Sequence, residues 1–279
     1  MSINQVLAHP DLILAMKIAR AAGDTLADKP LELSVSTKSS LTDVVTHMDL
    51  QSEEYIVEQL TEHRPTDGIV GEEGAAVISS SGRSWIVDPL DGTVNYLYGL
   101  PHWAVSIGLR DDESGEGLVG VVYAPELGAM YVAAQSLGSW VRTATDWQRM
   151  AIGECEQLGQ ALMGTGFGYA QARRIDQSVA LTQILPAVRD IRRLGSCAID
   201  LCLVASGHLD GFFESGVNPW DHAAGALMVR EAGGQVSGLF GEAESDQMLI
   251  ATNRHIYPEL LHILERTELE RTDGNLRTR

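Results

Sequence analysis

Apolar residues near the start of the chain return at helical spacing. Leu12, Ala15, Met16, Ala19, Ala22, Gly23 and Leu26 share one face of a helical repeat. Pro10-Asp11 can open this helix and Lys29-Pro30 ends it. A second helix is predicted from about Asp49 to His63, just before Pro65, with Ile56 and Leu60 on its inner face. The repeat then shortens. Trp85 to Asp88, Ala104 to Leu109, Leu118 to Tyr123 and Ala129 to Ala133 are short apolar runs cut by glycines and acidic turns, the pattern of an antiparallel sheet.

Farther on the rhythm changes. Ala161 to Gly164 reads as a strand, and Ile175 to Val188 as a helix with Ile175, Val179, Ile184 and Val188 turned inward. Ala198 to Ala205 is a helix ending at Gly207, and Asp210 to Glu214 a strand. Ala223 to Ala232 is a helix stopped by Gly233-Gly234. Met248 to Thr252 is the last strand, and a C-terminal helix begins near Pro258, its charged end fraying beyond about Thr267. No repeat or low-complexity linker divides the chain, and Arg142 to Gln157 is the best seam. The expectation is one compact unit of layered helices and sheets, an α+β half at residues 1–145 followed by an α/β half at residues 146–279.

The length of 279 residues suits one large domain or two of about 150 residues each. With 44% hydrophobic and 21% charged residues the chain can bury a sizeable core, which excludes a mainly disordered state. Asp and Glu number 38 against 20 Lys and Arg, a formal net charge of −18. That surplus argues against nucleic-acid phosphates or an anionic membrane as the main partner. Small anions fit only where a cation bridges them to the protein. Cys155, Cys197 and Cys202 form no CxxC pair and no zinc-finger set, which reads as reduced thiols of a cytoplasmic protein. The N-terminus has no signal-peptide pattern, and no run of about 20 apolar residues could span a membrane.

The most informative segment is Trp85-Ile86-Val87-Asp88-Pro89-Leu90-Asp91-Gly92-Thr93-Val94-Asn95. An apolar strand delivers Asp88, and Pro89 predicts that the strand stops there. A sharp turn can aim Asp91 at the same point, beside the Leu90 carbonyl. Two carboxylates and a carbonyl are hard oxygen ligands, which suit Mg²⁺ or Mn²⁺ rather than zinc. A helical turn starting at Gly92-Thr93 would offer free N–H groups to an anion. Alone, Asp-Pro and Asp-Gly are ordinary turn dipeptides; the whole string is far more specific. Two further segments carry acids: Gly71-Glu72-Glu73-Gly74 after an apolar pair, and Trp220-Asp221-His222-Ala223-Ala224-Gly225 at the mouth of a small-residue helix. By themselves they read as a solvated turn and an N-cap.

Together, in this order, the three segments resemble the motifs of the metal-dependent inositol monophosphatase family. The resemblance runs from about Met16 to about Leu261. It is nearest to the bacterial, actinobacterial-type members, to which NYLYGLP, GTGFGYA and RRLGSCAIDLCLVASG are also similar. It implies the alternating helix and sheet layers of that family's sugar phosphatase-like fold. It implies that Glu72, Asp88 and the Leu90 carbonyl hold one Mg²⁺, and that Asp88, Asp91 and Asp221 hold a second. A third ion would lean on Glu72, giving two to three ions per site, with Mn²⁺ as the alternative metal. Lys38, Asp43, Val45, Thr46 and Asp49 match a further family motif. Asp49 and Thr93, with Glu72, would orient or deprotonate the attacking water. Asp91, Gly92, Thr93, Asp221, Glu214 and the backbone of Cys197 would contact substrate, with Lys38 accessory. A homodimer and sensitivity to Li⁺ are also implied.

Three functions follow as expectations. The first is Mg²⁺-dependent hydrolysis of myo-inositol 1-phosphate. The second keeps the fold and changes the ester to histidinol phosphate, fructose 1,6-bisphosphate or a nucleotide 3′-phosphate. The third is a regulatory binding protein of the transcription machinery. Gly164-Thr165-Gly166-Phe167-Gly168 lacks dinucleotide-loop spacing and reads as a strand-exit loop near the pocket. His47 and His102 read as surface or packing residues, and His222 is not assigned as a ligand.

Overall fold

The computed structural model describes residues 2–29, 35–37, 44–144 and 146–272. Lys38 and Asp43 lie outside the described residues. The helices are α1 (Ile3–Val6), α2 (Pro10–Ala27), α3 (His47–His63), α4 (Thr93–Tyr98), α5 (Gln171–Ile184), α6 (Cys197–Ala205), α7 (Pro219–Glu231) and α8 (Tyr257–Thr272). A short ribbon pairs β1 (Val35–Thr37) with β2 (Val44–Thr46). A large sheet is built from β3 (Gly68–Gly71), β4 (Ala76–Val77), β5 (Arg83–Asp91), β6 (Ala104–Asp111), β7 (Gly117–Ala124), β8 (Ala129–Ala134), β9 (Gly138–Thr143) and β10 (Asp146–Arg149). Its order is β10-β9-β8-β7-β6-β5-β3-β4, antiparallel except where β3 runs beside β5. A smaller sheet holds β11 (Leu162–Thr165), β12 (Asp190–Arg192), β13 (Gly211–Glu214), β14 (Gln235–Ser237) and β15 (Leu249–Thr252), in the order β12-β11-β13-β15-β14.

Side-chain alternation along these strands builds the layers. On β7, Val119, Val121 and Tyr123 face one core while Val122 and Ala124 face another. The first core lies under α2 and α3, with Leu12, Ile18, Ile56 and Leu60. The second is filled by α6 and α7, which lie between the sheets. Phe212, Leu249 and Ala251 reach it from the small sheet, and Phe213 and Ile250 point the other way, toward α8. The result is helix, sheet, helix, sheet, helix, the layered sandwich that the sequence predicts. Because both faces of each sheet are covered, the central strands are apolar almost throughout and alternate weakly in sequence.

Close contact of α7 with the large sheet depends on two glycines. A Cβ at Gly108 would stand 3.1 Å from the Ala223 Cβ, and one at Gly120 would stand 2.9 Å from the Ala224 carbonyl oxygen. Gly120→Ala is therefore expected to push α7, which carries Asp221, off the sheet. The expected cost is about 1–3 kcal/mol of stability, readable as a lower midpoint in denaturant unfolding.

Several expectations are corrected. Sheet pairing in the second half is mixed, which the sequence reading left open: β15 pairs antiparallel with β13, and β14 antiparallel with β15. Helix α5 stops at Ile184 and tightens into a 3₁₀ turn, Leu185–Ala187, containing Pro186. Ile175 is 47% exposed, and Gln177 takes the inner position instead. Helix α8 runs past the expected fray point to Thr272, and Thr267 within it is buried and donates its hydroxyl to the Ile263 carbonyl. Among the described residues no helix is long and apolar enough to cross a membrane.

Candidate active site

Strand β5 does not stop at Asp88. It continues to Asp91 through a bulge: Asp88 faces Ser106 and Asp91 faces Ala104, so three steps on β5 oppose two on β6. Pro89, which cannot donate to the ladder, sits inside the bulge. Residues three apart on a regular strand point to opposite faces. The extra residue breaks that alternation and lets Asp88 and Asp91 line the same cavity. The Leu90 amide fixes Asp88 by donating to its Oδ1 at 3.0 Å. Gly92 then turns the chain with φ of +93°, a left-handed conformation that favours glycine. A Cβ there would also stand 2.7 Å from the His102 carbonyl oxygen. Helix α4 starts at the next residue.

Other elements converge on this turn. Asp49 sits in the first turn of α3, where its Oδ2 accepts from the Thr46 amide at 2.9 Å and hydroxyl at 2.6 Å. Its Oδ1 accepts from the Thr93 hydroxyl at 3.0 Å, which also reaches the Leu90 carbonyl at 3.1 Å. Glu72 follows β3, and its amide donates to Val87 on β5 at 3.2 Å. Asp221 lies in the first turn of α7, its Oδ2 accepting from the Asn218 amide at 2.6 Å. Glu214 ends β13, and the Gly166-Phe167-Gly168 loop exits β11 into the same cavity. That cavity has a volume of about 270 Å³ and is lined by every predicted metal and substrate residue. Asp49 stands behind it, reached through Thr93.

The electrostatics are those of unneutralised buried acid. Burial raises the Asp88 carboxyl well above its ordinary range, and repulsion from Glu72, Asp91 and Asp221 adds to this. Burial likewise raises Asp221, with Asp91, Glu72 and Glu214 reinforcing it. Asp91 is pushed up to about 6 by burial, against hydrogen bonds from Ser196, Ala198 and Cys197. Burial also raises Asp49, opposed by its bonds to Thr46 and Thr93. Glu214 is pushed up to about 8, with Arg193 as the opposing cation.

Oxygen-only donors gathered in a buried pocket fit a hard divalent cation. Asp221 accepts the Asn218 amide through Oδ2, and Asp91 accepts both Ser196 and the Ala198 amide through its own Oδ2. Among the described residues, no three His, Cys, Asp or Glu side chains form a ready-made ion cage; the acids line one cavity without closing on a point.

The roles of Ser196, Ala198, Arg193, Asp200 and Glu53 were not assigned from the sequence. Ser196 donates its hydroxyl to Asp91 at 2.5 Å, and the Ala198 amide does so at 2.7 Å. The start of α6 therefore holds Asp91, and Cys197, whose thiol burial pushes up, takes part through its amide. Arg193 and Asp200 line the cavity wall near Glu214. Glu53 holds the loop that carries Glu72. The sequence signals were helical spacing from Asp49 for Glu53, and for the others their place in RRLGSCAIDLCLVASG, where Ser196 caps α6. His222 is buried, and burial lowers it to about 4, as for a packed neutral imidazole.

Comparison with known proteins settles the family. The inositol monophosphatase family model matches residues 8–269. The chain belongs to the inositol monophosphatase family. Inositol-1-monophosphatase of Mycobacterium leprae is 39% identical over 240 residues, covering 84% of this chain and 82% of that protein. A Pasteurella multocida relative named Nus factor SuhB is 37% identical over 264 residues, covering 92% of this chain and 96% of that protein. The crystal structure of extragenic suppressor protein suhB from Bartonella henselae superposes with a TM-score of 0.85 at 33% identity, covering 92% of this chain and 99% of that one. The family match and the relatives named inositol-1-monophosphatase make the chain a phosphatase.

Proposed function

We propose that the protein is a Mg²⁺-dependent phosphatase that hydrolyses myo-inositol 1-phosphate and similar polyol phosphates to the polyol and phosphate. The observation that carries this reading is the acidic cavity. Glu72, Asp88, Asp91 and Asp221 come from three separate stretches of chain, and the leading influences on the three aspartates include no cation. A phosphate dianion would be repelled there, so the site requires the divalent charge that its oxygen donors suit. Glu72, Asp88, the Leu90 carbonyl, Asp91 and Asp221 are the proposed ligands, and bound Mg²⁺ would supply a Lewis acid and acidify a water near neutral pH.

The chain's own groups do the rest. Asp49 draws the Thr93 hydroxyl proton toward itself, leaving the Thr93 oxygen as an acceptor that orients a water O–H. The Gly92 and Thr93 amides at the strand-to-helix turn are assigned to the phosphate oxygens. Glu214, on the far wall, accepts from vicinal polyol hydroxyls or pairs with them as a donor when protonated. Arg193 balances it. No side chain is placed as a covalent nucleophile: the Thr93 hydroxyl is engaged with Asp49, and both Cys197 and Cys202 are buried with raised thiols.

The test compares kcat/KM for myo-inositol 1-phosphate, histidinol phosphate, fructose 1,6-bisphosphate and a nucleotide 3′-phosphate. The inositol ester is expected to lead, with activity lost on chelation, regained with Mg²⁺ and lowered by Li⁺. Turnover that persists in EDTA, or a histidinol phosphate preference, overturns the corresponding part. A cytoplasmic homodimer is the proposed state, and the exposed apolar side chains of Tyr98 and Leu100, at and just past the end of α4, favour the dimer. The Nus-factor name of the Pasteurella relative favours a transcription-related role as the second reading.

A further inference from the structure

Helix α3 touches the site at more than the Asp49–Thr93 contact. Asp49, Ser52 and Glu53, at helical positions i, i+3 and i+4, share one face. Ser52 donates its hydroxyl to the Pro89 carbonyl at 3.0 Å, inside the bulge of β5. Glu53 is 6% exposed, although its helix is largely polar. Its two oxygens are divided between two amides of one loop: Oε2 accepts from Glu73 at 2.8 Å and Oε1 from Ala75 at 2.9 Å. The Gly71 amide closes the same loop onto the Ala75 carbonyl at 2.8 Å. Gly71 is also where the carboxylate packs, since a Cβ at that position would collide with it. Glu72 is thus pinned on both sides, by its own amide on Val87 and by its neighbours on Glu53.

We infer that Glu53 is a positioning residue that clamps the 71–75 loop and so fixes Glu72 relative to Asp88. Its carboxylate lies behind the site and supports a ligand rather than contacting the ion or substrate. A carboxylate whose two oxygens each accept a part-buried amide of one loop makes a rigid, charge-assisted clamp. A glutamine offers one acceptor and turns an NH₂ group toward the second amide. This inference rests on the reading of Glu72 as a metal ligand. Supporting residues of this kind typically change metal affinity or activity by about 10–100-fold.

The experiment compares the full chain with Glu53→Gln, Gly71→Ala and, as a control on the exposed face of the same helix, Glu54→Gln. Hydrogen exchange of the 72–75 amides is measured in metal-free protein, and the Mg²⁺ midpoint is measured by thermal shift. Glu53→Gln is expected to speed exchange at Glu73 and Ala75 and raise the Mg²⁺ midpoint by about 10–100-fold. KM for ester at saturating Mg²⁺ should stay unchanged. Gly71→Ala, which displaces the carboxylate without altering it, should give the same pattern, and Glu54→Gln neither change. It also keeps the test open if Glu53→Gln fails to fold. Exchange and Mg²⁺ midpoint within twofold of wild type in Glu53→Gln overturn the clamp. Because neither readout needs turnover, a wild type that hydrolyses no ester would sink the proposed substrate and leave the clamp decidable.

Discussion

Asp221→Asn is expected to give a folded protein that has lost at least about a hundredfold in phosphatase turnover, the scale of removing one preorganised electrostatic group from a buried site. The substitution is conservative for the fold. The Asn218 amide donates to Asp221 Oδ2, and an asparagine oxygen can accept the same bond, so the start of α7 keeps its cap. What changes is the charge. Asp221 is buried and repelled by Asp91, Glu72 and Glu214, so in metal-free protein its ionised form opposes folding. Removing it should leave the metal-free melting temperature equal to or above that of wild type while activity collapses. Asp91→Asn should behave alike, because one asparagine oxygen can still accept from Ser196 and Ala198. Opposite movement of stability and activity separates a ligand role from a structural one. Steady-state kinetics with melting curves reads both, and turnover near wild type in either variant removes that aspartate from the metal set.

Local patterns were legible in the sequence, and long-range contacts were not. Helix α2 follows from its apolar spacing and Pro10, and the layered fold from the alternation of helix and strand signals. Asp88, Leu90, Asp91, Gly92 and Thr93 were legible because one strand, bulge and turn contain them all. The bulge was not, because Pro89 reads equally as a strand end. Ser196 serves Asp91 across 105 residues, and neither segment announces the other. Helix α5 shows how tertiary contact overrides periodicity: Ile175 fits the apolar repeat yet faces solvent. Gln177 is buried because it bonds the Gly168 amide and the Ser215 carbonyl, tying α5 to two loops at the cavity. The short strands β12 and β14 carry too few residues to show a repeat and form only because β11 and β15 offer open edges.

The same acidic cavity predicts how stability responds to pH and to Mg²⁺. Asp91 is raised to about 6 from an ordinary 3.8, Glu214 to about 8 from 4.5, and Asp88 and Asp221 move in the same direction. A carboxyl whose pKa is raised by folding binds its proton more tightly in the native state. Its destabilisation is absent below the unfolded value near 4 and grows as pH rises toward the folded value. Metal-free protein is therefore expected to lose stability steadily between about pH 4 and pH 8, from these groups alone. Mg²⁺ replaces those protons with fixed charge, so its stabilisation should be larger at pH 8 than at pH 5.5. At a hundred times its dissociation constant a single ion contributes about 2.7 kcal/mol, which for a chain of this size raises the melting temperature by about 5 °C. Melting curves at matched ionic strength, with Na⁺ replacing Mg²⁺, separate binding from screening. A metal-free melting temperature that stays flat from pH 5 to pH 8, or an equal rise with Na⁺, would mean that these carboxylates do not share uncompensated charge. The requirement for a divalent cation would then lose its physical basis.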